Sequence, residues 1–330
     1  GILTPASYLV YLSKEPLPKT SPLYGSGIQP NDRIVWVDGN VVYSHQELMH
    51  LLNDGRALCT IQRGTKILLR RVPRVLIEEL RLDHAQKEEL MDWQWEANLK
   101  NSKLQKLYFL PYNLNAEGYV ESKFSFLNEH NEAQYFGEQH LSIREEPLHV
   151  GDRIVAIDGK VVQSAHSVMR AIQEKQVHVI IERRAVRPLS LWNEADDAFD
   201  REFSQVDLAG LEAMIGTSCG TEPSAVARTR GNLILLHPIT PCTRSDLYIN
   251  GGVEEDQYEH ALAEEKMQIQ AIEDPEKREK ALRAFNIREK QLILGLPGVY
   301  DIPVVYNPNP FVLFQDVANE VASTLSALVG

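Results

Sequence analysis

Residues 32–39 read Asp-Arg-Ile-Val-Trp-Val-Asp-Gly, and 120 residues later residues 152–159 read Asp-Arg-Ile-Val-Ala-Ile-Asp-Gly. Superposed without a gap, residues 32–52 and 152–172 are identical at 10 of 21 positions. The agreement extends to Ile61-Gln62-Arg63 over Ile181-Glu182-Arg183. A self-match of this length marks a duplicated unit. It constrains the fold more than any local propensity, because whatever one copy builds the other must build too.

Each copy opens with a β-rich apolar run, Ile34-Val35-Trp36-Val37 or Ile154-Val155-Ala156-Ile157, that ends at Asp-Gly. Asp-Gly is a tight-turn dipeptide: glycine takes positive φ without strain and aspartate tolerates turn geometry. A short apolar return follows, Val41-Val42 and Val161-Val162, and then Ser44 and Ser164 stand where a helix N-cap belongs. Leu48, Leu51 and Leu52, like Val168, Ala171 and Ile172, recur at helical spacing and predict one buried face. Ala57 to Ile61 and Val177 to Ile181 read as closing strands. The unit is therefore strand, turn, strand, helix, strand.

The run from Gly27 to Ile34 and the run from Leu148 to Ile154, each continued through Asp-Gly, resemble the signature of bacterial PDZ domains. Ser21-Pro22-Leu23-Tyr24-Gly25-Ser26-Gly27 resembles the small-residue approach to that signature. The first copy carries Asn31 where the family prefers glycine, and the second carries Glu145-Glu146-Pro147 in place of an Ala-Gly-rich turn. The resemblance covers about half the chain and implies two peptide-binding modules. In such modules a peptide adds to a strand edge through main-chain hydrogen bonds while side-chain pockets give selectivity. It implies a first groove with Leu9 and Val10 on the strand wall and His45, Met49 and Leu52 on the helix wall. The second groove would have Phe124 on the strand and Ala165, Met169 and Ile172 on the helix. The plain alternative is that His45 is an exposed first-turn residue and both methionines belong to the core.

The expected fold class is α+β: two PDZ-like β-sandwich or barrel domains, a helical connector, and a C-terminal segment rich in helical insertions. The expected boundaries are residues 1–75 for the first domain, 76–107 for the connector and 108–189 for the second domain. Residues 190–293 follow as helical insertions with a β segment at Leu233 to Leu236. In the connector, Trp93 and Trp95 cannot share a helix face, so one of them anchors it to a neighbour. Asp274-Pro275 marks a helix start, with aspartate as N-cap and proline at the first helical position. Residues 294–330 read as a membrane-proximal segment ending in an amphipathic helix. There Phe314, Val317, Val321, Leu325 and Leu328 form an apolar stripe that fits either domain packing or a membrane interface.

With 330 residues the chain has room for two or three cores. Its net charge of −12 argues against a nucleic-acid partner, which needs a basic stripe. No run approaches the roughly 20 apolar residues of a membrane span, and the glycine start suggests an excised piece of a longer protein. Three cysteines are too few for a disulfide framework, although Cys219 and Cys242 could pair in an oxidising compartment.

No catalytic constellation emerges. His45 and His50 flank a segment reminiscent of a zinc-protease helix, but at i and i+5 they diverge by about 140° and cannot share a metal. Gly216-Thr217-Ser218-Cys219-Gly220 has the spacing of a nucleophile elbow without the strand before it or the helix after it. Tandem PDZ-like units followed by a segment like 311–330 resemble the extracytoplasmic region of site-2 intramembrane zinc metalloproteases of the regulator-of-sigma-E-protease type. That resemblance implies a periplasmic filter on the inner membrane that admits trimmed protein substrates to a protease centre whose zinc ligands lie on membrane spans elsewhere. The chain itself is expected to carry no catalytic residue, metal or cofactor, and its partners are expected to be peptides or protein termini. A second class of function also stands, a free-standing periplasmic PDZ adaptor or chaperone-like scaffold.

Overall fold

The computed structural model describes residues 7–13, 16–124, 147–183, 228–230, 232–248 and 253–303, with single positions at 314 and 318. The segments at 216–220 and 311–330 discussed above lie outside the described residues, the two single positions apart, as does Cys219.

In the first copy, β1 (Ser7–Tyr11), β2 (Arg33–Val37), β3 (Asn40–Val41), α1 (His45–Asn53), β4 (Arg56–Arg63) and β5 (Lys66–Pro73) follow in order. Next come β6 (Val75–Leu76), α2 (His84–Glu96), β7 (Tyr108–Phe109), β8 (Tyr112–Leu114) and β9 (Val120–Lys123). The second copy supplies β10 (Arg153–Ile157), β11 (Lys160–Val161), α3 (Ala165–Ala171) and β12 (Val179–Glu182). The remainder is β13 (Arg228–Arg230), β14 (Leu233–Leu235), α4 (Arg244–Leu247), α5 (Val253–Gln270), α6 (Pro275–Lys290) and β15 (Val299–Pro303).

The local signals act as the sequence predicts. At both Asp-Gly turns the two central residues have positive φ, 50° and 101° at Asp38 and Gly39, 46° and 78° at Asp158 and Gly159. That is the primed turn whose twist matches a tight hairpin. Ser44 accepts from the Glu47 N–H, and Ser164 forms a capping box with Ser167. In α2, Asp83 caps with Gln86, Trp93 turns inward and Trp95 stays 65% exposed with the Lys100 ammonium 3.3 Å above its ring. Within 76–107 the chain forms this helix of 13 residues with short helical turns at Ile77–Glu79 and Leu104–Lys106 on either side.

The closing strands are exchanged between the copies. β4 pairs with β10, Ile61 opposite Ile154 and Cys59 opposite Ile157. Reciprocally, β12 pairs with β2, Ile181 opposite Ile34 and Val179 opposite Val37. Shifting every number by 120 converts one register into the other, including a bulge at the same place in each. One sheet runs β13-β14-β12-β2-β1-β15 with β3 beside β2; another runs β11-β10-β4-β5. Both are open, so the described residues form sheets with free edges and no closed barrel.

The two cores follow the exchange. Leu9, Ile34, Val37, Leu48 and Leu52 pack with Val177, Val179 and Ile181 of the second copy. Ala57, Cys59 and Ile61 of the first copy pack with Ile154, Ile157, Val168, Met169 and Ile172. Val35, Trp36, Leu58 and Ile180 fill the space between. Each donated strand buries several aliphatic side chains completely, at about 1.5–3 kcal/mol apiece. The cores therefore do not coincide with residues 1–75 and 108–189.

The repeated polar residues hold the exchange. Arg63 grips Asp152 through two bonds of 2.8 Å, and Arg183 grips Asp32 at 2.9 and 2.7 Å. Asp158 Oδ1 accepts the Leu58 N–H at 2.7 Å, and the Asp158 N–H donates to the Leu58 carbonyl at 2.9 Å. Asp38 does the same with His178, at 3.4 and 2.9 Å. Both aspartates of the repeated motif thus bind the other copy's strand.

Candidate functional site

A peptide can add only to a strand with an unused edge. β1 has none. The Tyr11 N–H donates to the Asp32 carbonyl at 3.0 Å on one side, and the Leu12 N–H donates to the Gly298 carbonyl at 2.8 Å on the other. Leu9 and Val10 are fully buried between β2 and β15, so they are core residues rather than a groove wall. The strand lying next to α1 is β15, which ends its sheet among the described residues. Its register with β1, together with the Leu12–Gly298 bond, turns Gly298, Tyr300 and Ile302 toward β1. Antiparallel alternation then leaves the N–H and C=O groups of Val299 and Asp301 on the outer edge.

The cleft between α1 and β15 is tied at both ends. At the helix start the His45 N–H donates to Asp301 Oδ1 at 2.6 Å. At its end the Asn53 carboxamide brackets one residue: the Leu292 N–H donates to Asn53 Oδ1 at 2.8 Å, and Asn53 Nδ2 donates to the Leu292 carbonyl at 3.0 Å. Between these ties, half-buried Met49, Leu296 and Val299 pack against the cluster containing Leu52. His45 is exposed. The approach to β15 is fixed by Gly298 at φ 75°, where any Cβ would collide with the Leu12 carbonyl oxygen. Ser21 Oγ also donates to the Gly295 carbonyl at 2.8 Å.

The second copy builds the equivalent place differently. Gln173, 120 residues after Asn53, brackets Tyr108 in the same way, at 3.0 and 2.8 Å. The first N–H of α3, from Ala165, goes directly to the backbone carbonyl of Ala116 at 3.1 Å. Ala165, Met169 and Ile172 are fully buried, sharing a core with Leu90 and Trp93 of α2 and Phe109 of β7. Phe124, 4% exposed, belongs to that core as well. The connector helix therefore covers the face that the sequence offered as a second groove.

Sequence reasoning missed the contribution of residues 292–302 to the first cleft. The available signal was the Gly-Pro cluster Leu294-Gly295-Leu296-Pro297-Gly298 running into the alternating Val299-Tyr300-Asp301-Ile302.

Electrostatics concentrate at the strand crossover instead of the cleft. Burial, reinforced by the Asp38 carboxylate, pushes Asp158 up to about 6. Burial, then Asp158 and Asp38, raise the Cys59 thiol well above its ordinary value, which makes it a poor nucleophile. Burial works to raise Asp152 too, but its bonds to Arg63 and the His149 N–H outweigh it and hold the carboxyl below its usual range. Among the described residues no three His, Cys, Asp or Glu side chains are grouped to hold a metal, and no helix is long and apolar enough to cross a membrane.

Among the described residues these features define an α+β arrangement of two interlocked copies of one module, with a helix–strand cleft where α1 meets β15. Comparison with known proteins places it further. It is 32% identical over 325 residues to a Chlamydia trachomatis protein named "Putative zinc metalloprotease", and 33% identical over 326 residues to one of the same description from Chlamydia pneumoniae. Each alignment covers 98% of this chain and 48% of the relative, so the chain spans about half the length of the curated relatives it matches. No family model and no solved structure matches.

Proposed function

We propose that this chain is a non-catalytic peptide-docking region of a zinc metalloprotease, a PDZ-like tandem that controls which substrates reach a catalytic centre contributed by the rest of the protein. The observation that carries this reading is the α1–β15 cleft, where a helix faces the outward N–H and C=O groups of Val299 and Asp301. Such an edge accepts an extended chain by strand addition, with half-buried Met49 and Leu296 offering apolar contact for alternate side chains, while Leu52, fully buried, is core rather than groove wall. The similarity to chlamydial proteins named as zinc metalloproteases supports a protease setting. On this reading the zinc is held by the rest of the parent protein; among the described residues no three His, Cys, Asp or Glu side chains are grouped to ligate it. A periplasmic position beside an intramembrane protease is part of the same proposal.

The test is titration of the chain with ten-residue peptides ending in a free apolar residue, alongside the same peptides amidated. Saturable binding that loses affinity on amidation is expected. Equal affinity would rule out capture of a terminal carboxylate, and no binding at all would remove the docking reading.

A further inference from the structure

The duplicated unit provides its own control, because the two copies close the helix–strand cleft by different bonds. In the second copy the first helical N–H, from Ala165, is used by the backbone carbonyl of Ala116, and α2 lies over the helix face. Opening that cleft means breaking main-chain bonding and exposing Leu90, Trp93 and Phe109. In the first copy the equivalent N–H, from His45, is held by a side chain, the carboxylate of Asp301, itself exposed on an edge strand. Aspartate has rotamers that swing its carboxylate to water while the strand stays where it is. The far end is anchored in both copies by the matching amides Asn53 and Gln173. One cleft is sealed by main-chain bonding and a covering helix, then, and in the other the tie at the helix start is a side-chain contact alone.

We propose that Asp301 is a latch on the first cleft, and that an extended peptide pairs with the outer edge of β15 after displacing the Asp301 carboxylate from the start of α1. This inference rests on the docking function proposed above and adds its regulation. The latch lowers affinity for weak or poorly extended segments, because each must compete with a carboxylate already at the helix start, where the N–H groups and helix dipole favour it.

Two substitutions open the latch by independent routes. Asp301→Ala removes the acceptor from an exposed position. His45→Pro removes the donor, and His45 is the first helical residue after the Ser44 cap, the position where proline fits a helix without strain. Ten-residue peptides with a free apolar C-terminal residue are titrated against the unsubstituted chain and both variants, with melting curves recorded for each. Both variants are expected to bind about five- to thirtyfold tighter, the effect of releasing one charge-assisted hydrogen bond discounted for its exposure to solvent. Amide exchange at Val299 and Asp301 should slow when peptide is bound. Unchanged or weaker binding in either variant with its melting curve preserved overturns the latch and leaves docking standing. Absence of binding in all three proteins removes docking and latch together.

Discussion

If the closing strands are exchanged, Arg63 is energetically coupled to Asp152, which is 89 positions away in the chain, and not to Asp32 of its own copy. The geometry sets the size of the effect. Arg63 meets Asp152 in a bidentate pair, with Nε to Oδ1 and Nη2 to Oδ2 both at 2.8 Å. The Asp152 side chain is 1% exposed and the Arg63 side chain 29%. A hydrogen bond to a charged group is worth about 1.5–3 kcal/mol, and partial exposure of the arginine screens some of that, so the coupling should be about 1–3 kcal/mol. Removing Arg63 alone leaves a buried carboxylate with the His149 N–H as its remaining neighbour in that network, a loss of about 2–4 kcal/mol. The assay is a pair of double-mutant cycles read by urea unfolding. One combines Arg63→Ala with Asp152→Ala, and the other combines Arg63→Ala with Asp32→Ala. The second cycle should show less than about 0.5 kcal/mol of coupling, as expected for residues without shared contacts. Coupling between Arg63 and Asp32, with none between Arg63 and Asp152, would mean that each copy closes its own sheet and that the exchange is wrong.

The crossover should also respond to pH. Asp158 titrates near 6 in the fold against an ordinary 3.8, so its contribution to stability is fully present below about pH 4 and lost as pH rises through 6. The size is on the order of 3 kcal/mol at most. Asp158→Asn keeps an oxygen for the Leu58 N–H and tolerates the positive φ, so it should flatten the stability profile between pH 4 and 6; an unchanged profile would refute the assignment. Asp152 has the opposite sign, its contribution being lost only as pH falls through its depressed value. The two methionines at matching repeat positions should separate as well. Met49→Glu, at a half-buried position in the cleft, should weaken peptide binding at least tenfold and lower stability by about 1–2 kcal/mol. Met169→Glu, at a fully buried position, should cost about 4 kcal/mol or more. Equal destabilisation by the two would show that Met49 is a core residue.

Much of the local structure was legible in the chain. Ser44 and Ser164 announced their helices, the Asp-Gly pairs announced their turns, and Leu48, Leu51 and Leu52 marked a buried face. The exchange was not legible, and the reason is physical. The two closing strands present equivalent apolar faces in the same register, so local pattern fits pairing within a copy and between copies equally well. Only Arg63 and Arg183, aligned at the ends of those strands, hinted at a conserved partner, and nothing local says which aspartate each one meets. The groove was misplaced for a related reason. Strand β1 has the alternation and position of a wall, but β15 arrives from almost 290 residues away and covers its outer edge. Loop closure over such a length adds little to the entropic cost, so distance along the chain is a weak guide to who pairs with whom.

The central functional claim is that extended peptides dock between α1 and β15 and nowhere on the second copy's helix. The most direct measurement is photocrosslinking with a peptide that ends in a free apolar residue and carries a photoreactive side chain two positions before it, followed by mapping of the labelled residues. Label is expected on Met49, Leu296, Val299 or Asp301. Label concentrated on the segment from Ala165 to Ile172, with none along β15, would contradict it.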